Sequence, residues 1–179
     1  MQDLIKECEA ELNAVISPAY VYKVFIIEAM TENSVKLKDC PFILRGYDIA
    51  VHLKNSQKAI LLGVTIGAGV DALIRKMQIE NMAKAVIIDG LAAEAIERLC
   101  DSFQTREQGS LGAYAPQKAL PRFSPGYGDF PIEAQKDFQN VLNLHKAIGV
   151  SVSDTMLLTP SKSVTAVLPV NSSELFQTH

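Results

Sequence analysis

The sequence predicts a single α+β domain over residues 1–179, an antiparallel or mixed twisted sheet with helices packed on it. Three observations lead there. Segments with apolar residues at helical spacing are interspersed, in no regular alternation, with runs of β-branched and aromatic residues. A turn-forming tetrad, Thr31-Glu32-Asn33-Ser34, separates two such runs and marks a hairpin. Finally, 179 residues with 48% hydrophobic content suffice for one domain with a sizeable core.

Taken in order, Asp3 to Ile16 places Leu4, Ile5, Cys8, Leu12, Val15 and Ile16 at helical intervals. Asp3 can cap that helix, and Ser17-Pro18 ends it. Tyr20 to Met30 reads as a strand, and Val35 to Lys38 as its returning partner. Leu44 to Asp48 leads into a short helix through Leu53, on which His52 reads as a surface or packed histidine. Ala59 to Ile66 is nearly all apolar and predicts a buried strand. Gly67-Ala68-Gly69 follows it, and a helix opens near Val70-Asp71 and runs to Met77. Strand, glycines and helix in that order suit a phosphate. The full Gly-x-Gly-x-x-Gly spacing and any Gly-Lys-Ser/Thr are missing, so the glycines read as close packing or a tight turn, with a nucleotide-binding enzyme as a distant rival.

Asn81 to Cys100 predicts a long, alanine-rich helix with a break allowed near Gly90. Its apolar positions are wider than a surface stripe, which makes it central. Glu94 has two readings: a carboxylate near apolar surface that needs Arg122 or a cationic ligand, or an exposed residue beside Glu97 and Arg98. Ser102 to Leu120 is polar and reads as a long loop. Pro131-Ile132 opens a helix to about Lys146, and Gly149 closes it. Met156 to Leu158 and Val164 to Leu168 are read as the last strands, a second hairpin joined by Thr159 to Ser163. Asn171 to His179 reads as a frayed tail.

A net charge of −3 gives no basic field for nucleic acid or an anionic membrane surface. No apolar run reaches membrane-spanning length, and the acidic, polar N-terminus is unlike a signal peptide. Three widely spaced cysteines form no Cys-x-x-Cys pair and read as reduced thiols of a cytoplasmic protein. The three histidines lack metal-ligand spacing, and no nucleophile elbow or phosphate-binding lysine loop is present.

The densest chemistry lies in Arg122-Phe123-Ser124-Pro125-Gly126-Tyr127-Gly128-Asp129-Phe130-Pro131. Two prolines and two glycines exclude regular structure there, and they carry ligand-type side chains on a stiffened loop. From Arg122 onward the chain resembles the activation (reactivation) domain of vitamin B12 (cobalamin)-dependent methionine synthase. The motifs that carry this are Arg122, Pro125-Gly126-Tyr127, the helix from Ile132 to Lys146, Ile148-Gly149-Val150-Ser151-Val152-Ser153-Asp154-Thr155, and Lys162-Ser163-Val164. The upstream half, from Val64-Thr65-Ile66-Gly67 to Ile87-Ile88-Asp89-Gly90, is similar to small stand-alone members of that family. After Gly-Tyr this chain has Gly128-Asp129-Phe130-Pro131 where the synthase domain has Pro-Ala-Cys-Pro, and the synthase's early ligand-binding aspartate has no counterpart.

The resemblance implies S-adenosylmethionine binding at Glu94, Arg122, Ser124, Pro125, Gly126, Tyr127 and Gly128. It implies no catalytic acid or base on this chain. The chain would serve as a reactivation subunit in methionine biosynthesis. Cob(II)alamin on a corrinoid protein, or on a methionine synthase lacking its own activation domain, is reduced by a flavodoxin- or ferredoxin-type donor and remethylated from the sulfonium. The alternative is a docking module for a corrinoid methyltransferase that no longer binds S-adenosylmethionine. The residue chemistry agrees with the first: a guanidinium fork suits an α-carboxylate, a carboxylate suits an ammonium or sulfonium, and glycine backbone permits close approach.

Overall fold

The computed structural model describes residues 2–110 and 121–170. Its scaffold is a five-stranded antiparallel sheet in the order β3 (Ile43–Arg45), β2 (Ser34–Leu37), β1 (Ala19–Thr31), β4 (Lys58–Thr65), β7 (Ser163–Val170), with helices on both faces. The central pair is β1 (Ala19–Thr31) and β4 (Lys58–Thr65), joined over eight residue pairs from Ala19↔Thr65 to Ile26↔Lys58. Strand β4 is the run read as a buried strand, and seven of its eight residues are buried. Its side chains alternate between two cores. Ile60, Leu62 and Val64 face α1 (Gln2–Val15), α3 (Ala68–Glu80) and α4 (Met82–Ser110). Ala59 and Leu61 face α2 (Tyr47–Leu53), α5 (Ala134–Leu142) and α6 (Leu144–Ile148).

The predicted hairpin forms between β1 and β2 (Ser34–Leu37), and β3 (Ile43–Arg45), which the sequence did not single out, extends it. A bulge between Ile27 and Ala29 shifts the register, so that Ile27 and Met30 both reach the α2/α5 core.

Four expectations are corrected. Helix α4 runs unbroken through Gly90, whose alanine- and leucine-rich flanks are strong helix formers, and it continues through Ser102–Ser110, read as loop. That stretch is polar because it overhangs the core, yet Phe103 is buried, its ring 5.2 Å from Tyr20 and 5.1 Å from Tyr22. The remainder of the expected loop, residues 111–120, and the expected tail, residues 171–179, lie outside the described residues. The single helix predicted from Ile132 to Lys146 is two, because Asn143 turns left-handed at φ 53° between α5 and α6. The turn drives Leu144 against the sheet over Gly63, where a Cβ would lie 2.5 Å from Leu144 Cδ2. The second hairpin does not form as expected. Leu158–Thr159 (β6) pairs with Ser151–Val152 (β5), while β7 (Ser163–Val170) lies along β4 from Thr65↔Ser163 to Lys58↔Val170.

The glycines after β4 serve packing. A Cβ at Gly69 would stand 2.7 Å from the Val15 carbonyl oxygen, and one at Gly67 would stand 3.1 Å from that of Ser17. The end of α1 therefore closes over the start of α3, where the rival reading placed a phosphate. The three cysteines are free thiols, and no helix among the described residues is long and apolar enough to cross a membrane.

The two helical glycines Gly69 and Gly90 should respond oppositely to alanine. Nothing lies within 4 Å of a Cβ at Gly90, whereas one at Gly69 meets backbone. In urea unfolding, Gly90→Ala should stabilise by about 1 kcal/mol and Gly69→Ala should destabilise by about 1–3 kcal/mol.

Candidate functional site

The loop from Pro121 to Pro131 hangs from β7 by one bridge. Phe123 N–H donates to Val167 O at 3.0 Å, and Val167 N–H donates back to Phe123 O at 2.8 Å. Phe123 and the buried Phe130 then anchor the loop in the core, their rings 6.2 Å apart. The loop closes on itself through Gly126 N–H to Phe130 O at 2.9 Å and Phe130 N–H to Tyr127 O at 3.0 Å. Gly126 (φ 94°) and Gly128 (φ 53°) both take conformations in the left-handed half of backbone space. A Cβ at Gly128 would collide with the Asp48 carboxylate.

Asp129 pins the far end. Its carboxylate accepts from Tyr47 N–H at 2.6 Å and Asp48 N–H at 3.0 Å, capping α2 from across the fold. Those backbone donors, Asp48's first, hold the Asp129 carboxyl below the ordinary carboxylate range. The residues that depart from the Pro-Ala-Cys-Pro pattern therefore have a structural job here.

Between this loop and α4 opens a cleft of 580 Å³. One wall is α4, through Glu97, Asp101 and Gln104. A second is the loop, through Arg122, Ser124, Pro125 and Tyr127, and the third is formed by Gln135, Leu158 and Ser163 to Thr165. Arg122 crosses it. Nη2 donates to Glu97 Oε2 at 2.5 Å, while Nη1 donates to Asp101 Oδ1 at 2.5 Å and to Gln104 Oε1 at 3.3 Å. The Arg122 side chain is only 16% exposed, so this is a half-buried pair rather than a surface one. Burial opposes its charge, but the hydrogen bond to Asp101 and the neighbouring negative charges outweigh that and raise its pKa above the usual arginine value. Behind it, burial pushes the Cys100 thiol up to about 11 despite the nearby guanidinium, which leaves it an inert core residue.

The structure brings Arg122, Ser124, Pro125 and Tyr127 onto one cleft, with Tyr127 67% exposed at its rim. Gly126 and Gly128 shape the loop without lining the cleft. Glu94 lies elsewhere: it is 57% exposed and pairs with Arg98 at 2.5 Å, one turn before the carboxylates that reach Arg122. Sequence reasoning missed Glu97, Asp101, Gln104, Gln135, Ser163 and Thr165 as lining residues. The signal for three of them was present, since Glu97, Asp101 and Gln104 follow at i, i+4 and i+7 on one helix face. Ending the helix at Cys100 hid it.

His52, read as surface or packed, is packed. Its ring lies 5.2 Å from that of Phe123, and among the described residues its buried Nε2 has no hydrogen-bond partner.

No protein-family model matches the sequence. No curated protein sequence matches it. Among solved structures, a crystal structure of the MetH reactivation domain bound to AdoHcy superposes with a TM-score of 0.75. The match covers 98% of this chain and 67% of that one at 15% sequence identity. At that identity the likeness establishes a shared fold: helices around a curled antiparallel sheet in one domain.

Burial lowers the His52 pKa below its ordinary 6.5, so the folded chain prefers the neutral ring. The stability that depends on neutral His52 is complete above 6.5 and is lost as pH falls through the lower folded-state value. Denaturation midpoints measured between pH 7 and pH 5 should fall on acidification, and His52→Phe should flatten that slope.

Proposed function

We propose that this chain is an S-adenosylmethionine-binding reactivation module, which supports reductive methylation of cob(II)alamin on a separate corrinoid protein or a methionine synthase lacking its own activation domain. The observation that carries this reading is Arg122, held by Glu97 and Asp101 along a cleft of 580 Å³. Among the described residues, two carboxylates against one guanidinium leave that end with one net negative charge. S-adenosylmethionine is a zwitterion with an added sulfonium, net positive by one, so the charges are complementary. The guanidinium would meet the α-carboxylate, Glu97 and Asp101 the ammonium and sulfonium field, and Tyr127 a ring or cationic face at the rim. The shared fold with a domain solved with AdoHcy supports the same reading.

The partner's corrinoid would supply the nucleophile, and an electron donor of flavodoxin or ferredoxin type would supply the reductant. This chain's work is then to hold the methyl donor in line and keep water from it, which needs no acid or base. The setting would be the cytoplasm. One observation favours a second reading, a docking module without a small-molecule site: both terminal nitrogens of Arg122 already have partners on α4.

Calorimetric titration with S-adenosylmethionine separates the two. The proposed function predicts saturable binding by the wild type, weakened at least about tenfold in Arg122→Ala through loss of a charge-assisted contact. It also predicts that S-adenosylhomocysteine, which lacks the sulfonium charge, binds more weakly, with the gap narrowing as salt is raised. A silent titration alongside retained binding to a corrinoid protein would establish the docking module instead.

A further inference from the structure

The cleft is chemically divided. Among the described residues, every charged group lining it belongs to one cluster, with Glu97 and Asp101 on α4 facing Arg122. The wall formed by α5, β6 and β7 offers, among the described residues, neutral polar groups and apolar surface: Gln135, Ser163, Thr165, Leu158 and Val164. Among these, Gln135 and Thr165 are almost wholly buried, at 6% and 2% exposure. Buried amides and hydroxyls require hydrogen bonds. Thr165 Oγ1 donates to Gln135 Oε1 at 2.5 Å, which uses the amide oxygen and fixes the plane of the side chain. Among the described residues nothing accepts from the Gln135 Nε2 hydrogens, although the residue lines the cleft.

Placement adds to this. Gln135 sits in the first turn of α5, directly after the loop that carries Arg122, and Thr165 sits on β7 between residues paired to β4. Both belong to parts of the fold whose backbones are fixed. Ser163, on the same strand and side, donates to Thr65 Oγ1 at 2.9 Å and so has its hydroxyl proton committed. Gln135 is therefore the neutral wall's uncommitted side-chain donor among these three residues.

We infer that Gln135 is a specificity-determining residue of this cleft: its Nε2 hydrogens donate to a hydroxyl or ring nitrogen on the uncharged, nucleoside part of the ligand, and Thr165 fixes the amide so that nitrogen rather than oxygen faces it. The inference rests on the functional reading above and deepens it. It assigns the ligand a direction, with the amino-acid end at Arg122 and the nucleoside end at Gln135.

Three probes test it on the full chain: S-adenosylmethionine, 5′-methylthioadenosine as the neutral nucleoside end alone, and S-methylmethionine as the sulfonium amino-acid end alone. Gln135→Met removes the donor while keeping an unbranched side chain. Gln135→Leu removes it with a shorter, branched side chain that adds no charge. Both variants should bind 5′-methylthioadenosine roughly three- to tenfold more weakly, the effect of one lost hydrogen bond to a neutral acceptor. Gln135→Met should weaken S-adenosylmethionine by the same factor and leave S-methylmethionine unchanged. Arg122→Ala should give the reverse split between the two fragments. Thermal melts identify a variant that fails to fold, in which case the remaining Gln135 variant decides. Wild-type binding of 5′-methylthioadenosine that is indifferent to Gln135, or a Gln135→Met loss that falls on S-methylmethionine, overturns the inference and leaves the functional reading standing. A wild type that binds none of the three overturns both.

Discussion

Strand β4 has no solvent face. An eight-residue strand with seven buried positions can exist only if something covers each side, and the chain supplies α1, α3 and α4 on one side and α2, α5 and α6 on the other. At about 25 cal/mol per Å² of apolar area, a buried leucine or isoleucine contributes roughly 2 kcal/mol. Ile60, Leu61, Leu62 and Val64 together therefore dominate the local energetics. The two-sided demand also places β7. Its residues Ala166 to Val170 are buried as completely as those of β4, and the ladder between the strands is continuous.

The cleft is assembled on that foundation. Strand β7 provides Thr165 as one wall and Val167 as the attachment for Phe123, so the loop begins from a fixed point. Asp129 ties its other end to α2, and Phe130 fills the core between. Helix α4 crosses the opposite face of the sheet and overhangs far enough to bring Asp101 and Gln104 to Arg122. Every described lining residue thus sits on a strand, on a helix or on a loop held at both ends, which suits a site whose task is orientation.

Much of this was legible in the sequence, for definite reasons. The apolar run at Ala59–Ile66, the tetrad at Thr31–Ser34 and the glycine and proline punctuation around Arg122 are local signals, and each fixed an element or a loop correctly. What was hidden depended on distant contacts. Ser102–Ser110 is polar in composition, and its helical state is backed by Phe103 packing on Tyr20 and Tyr22, eighty residues away. Asn143 gives no local sign that it breaks a helix, since its left-handed turn is stabilised by the burial of Leu144 over Gly63. Likewise, Leu158 and Val164 look like hairpin partners until β4 claims β7. Glu94 was singled out from its own surroundings, whereas the carboxylates that meet Arg122 are chosen by helix phase.

The bulge in β1 has a consequence for the far end of the sheet. Before it, Val21, Phe25 and Ile27 point toward the α2/α5 side; beyond it Met30 does so, an even-numbered residue continuing an odd-numbered series. One supernumerary residue thus resets the in-out parity of the strand. Without that reset, the hairpin tip would turn its greasy side to water and its lysines inward, so the β2–β3 flap keeps its apolar face on the core by a single-residue offset.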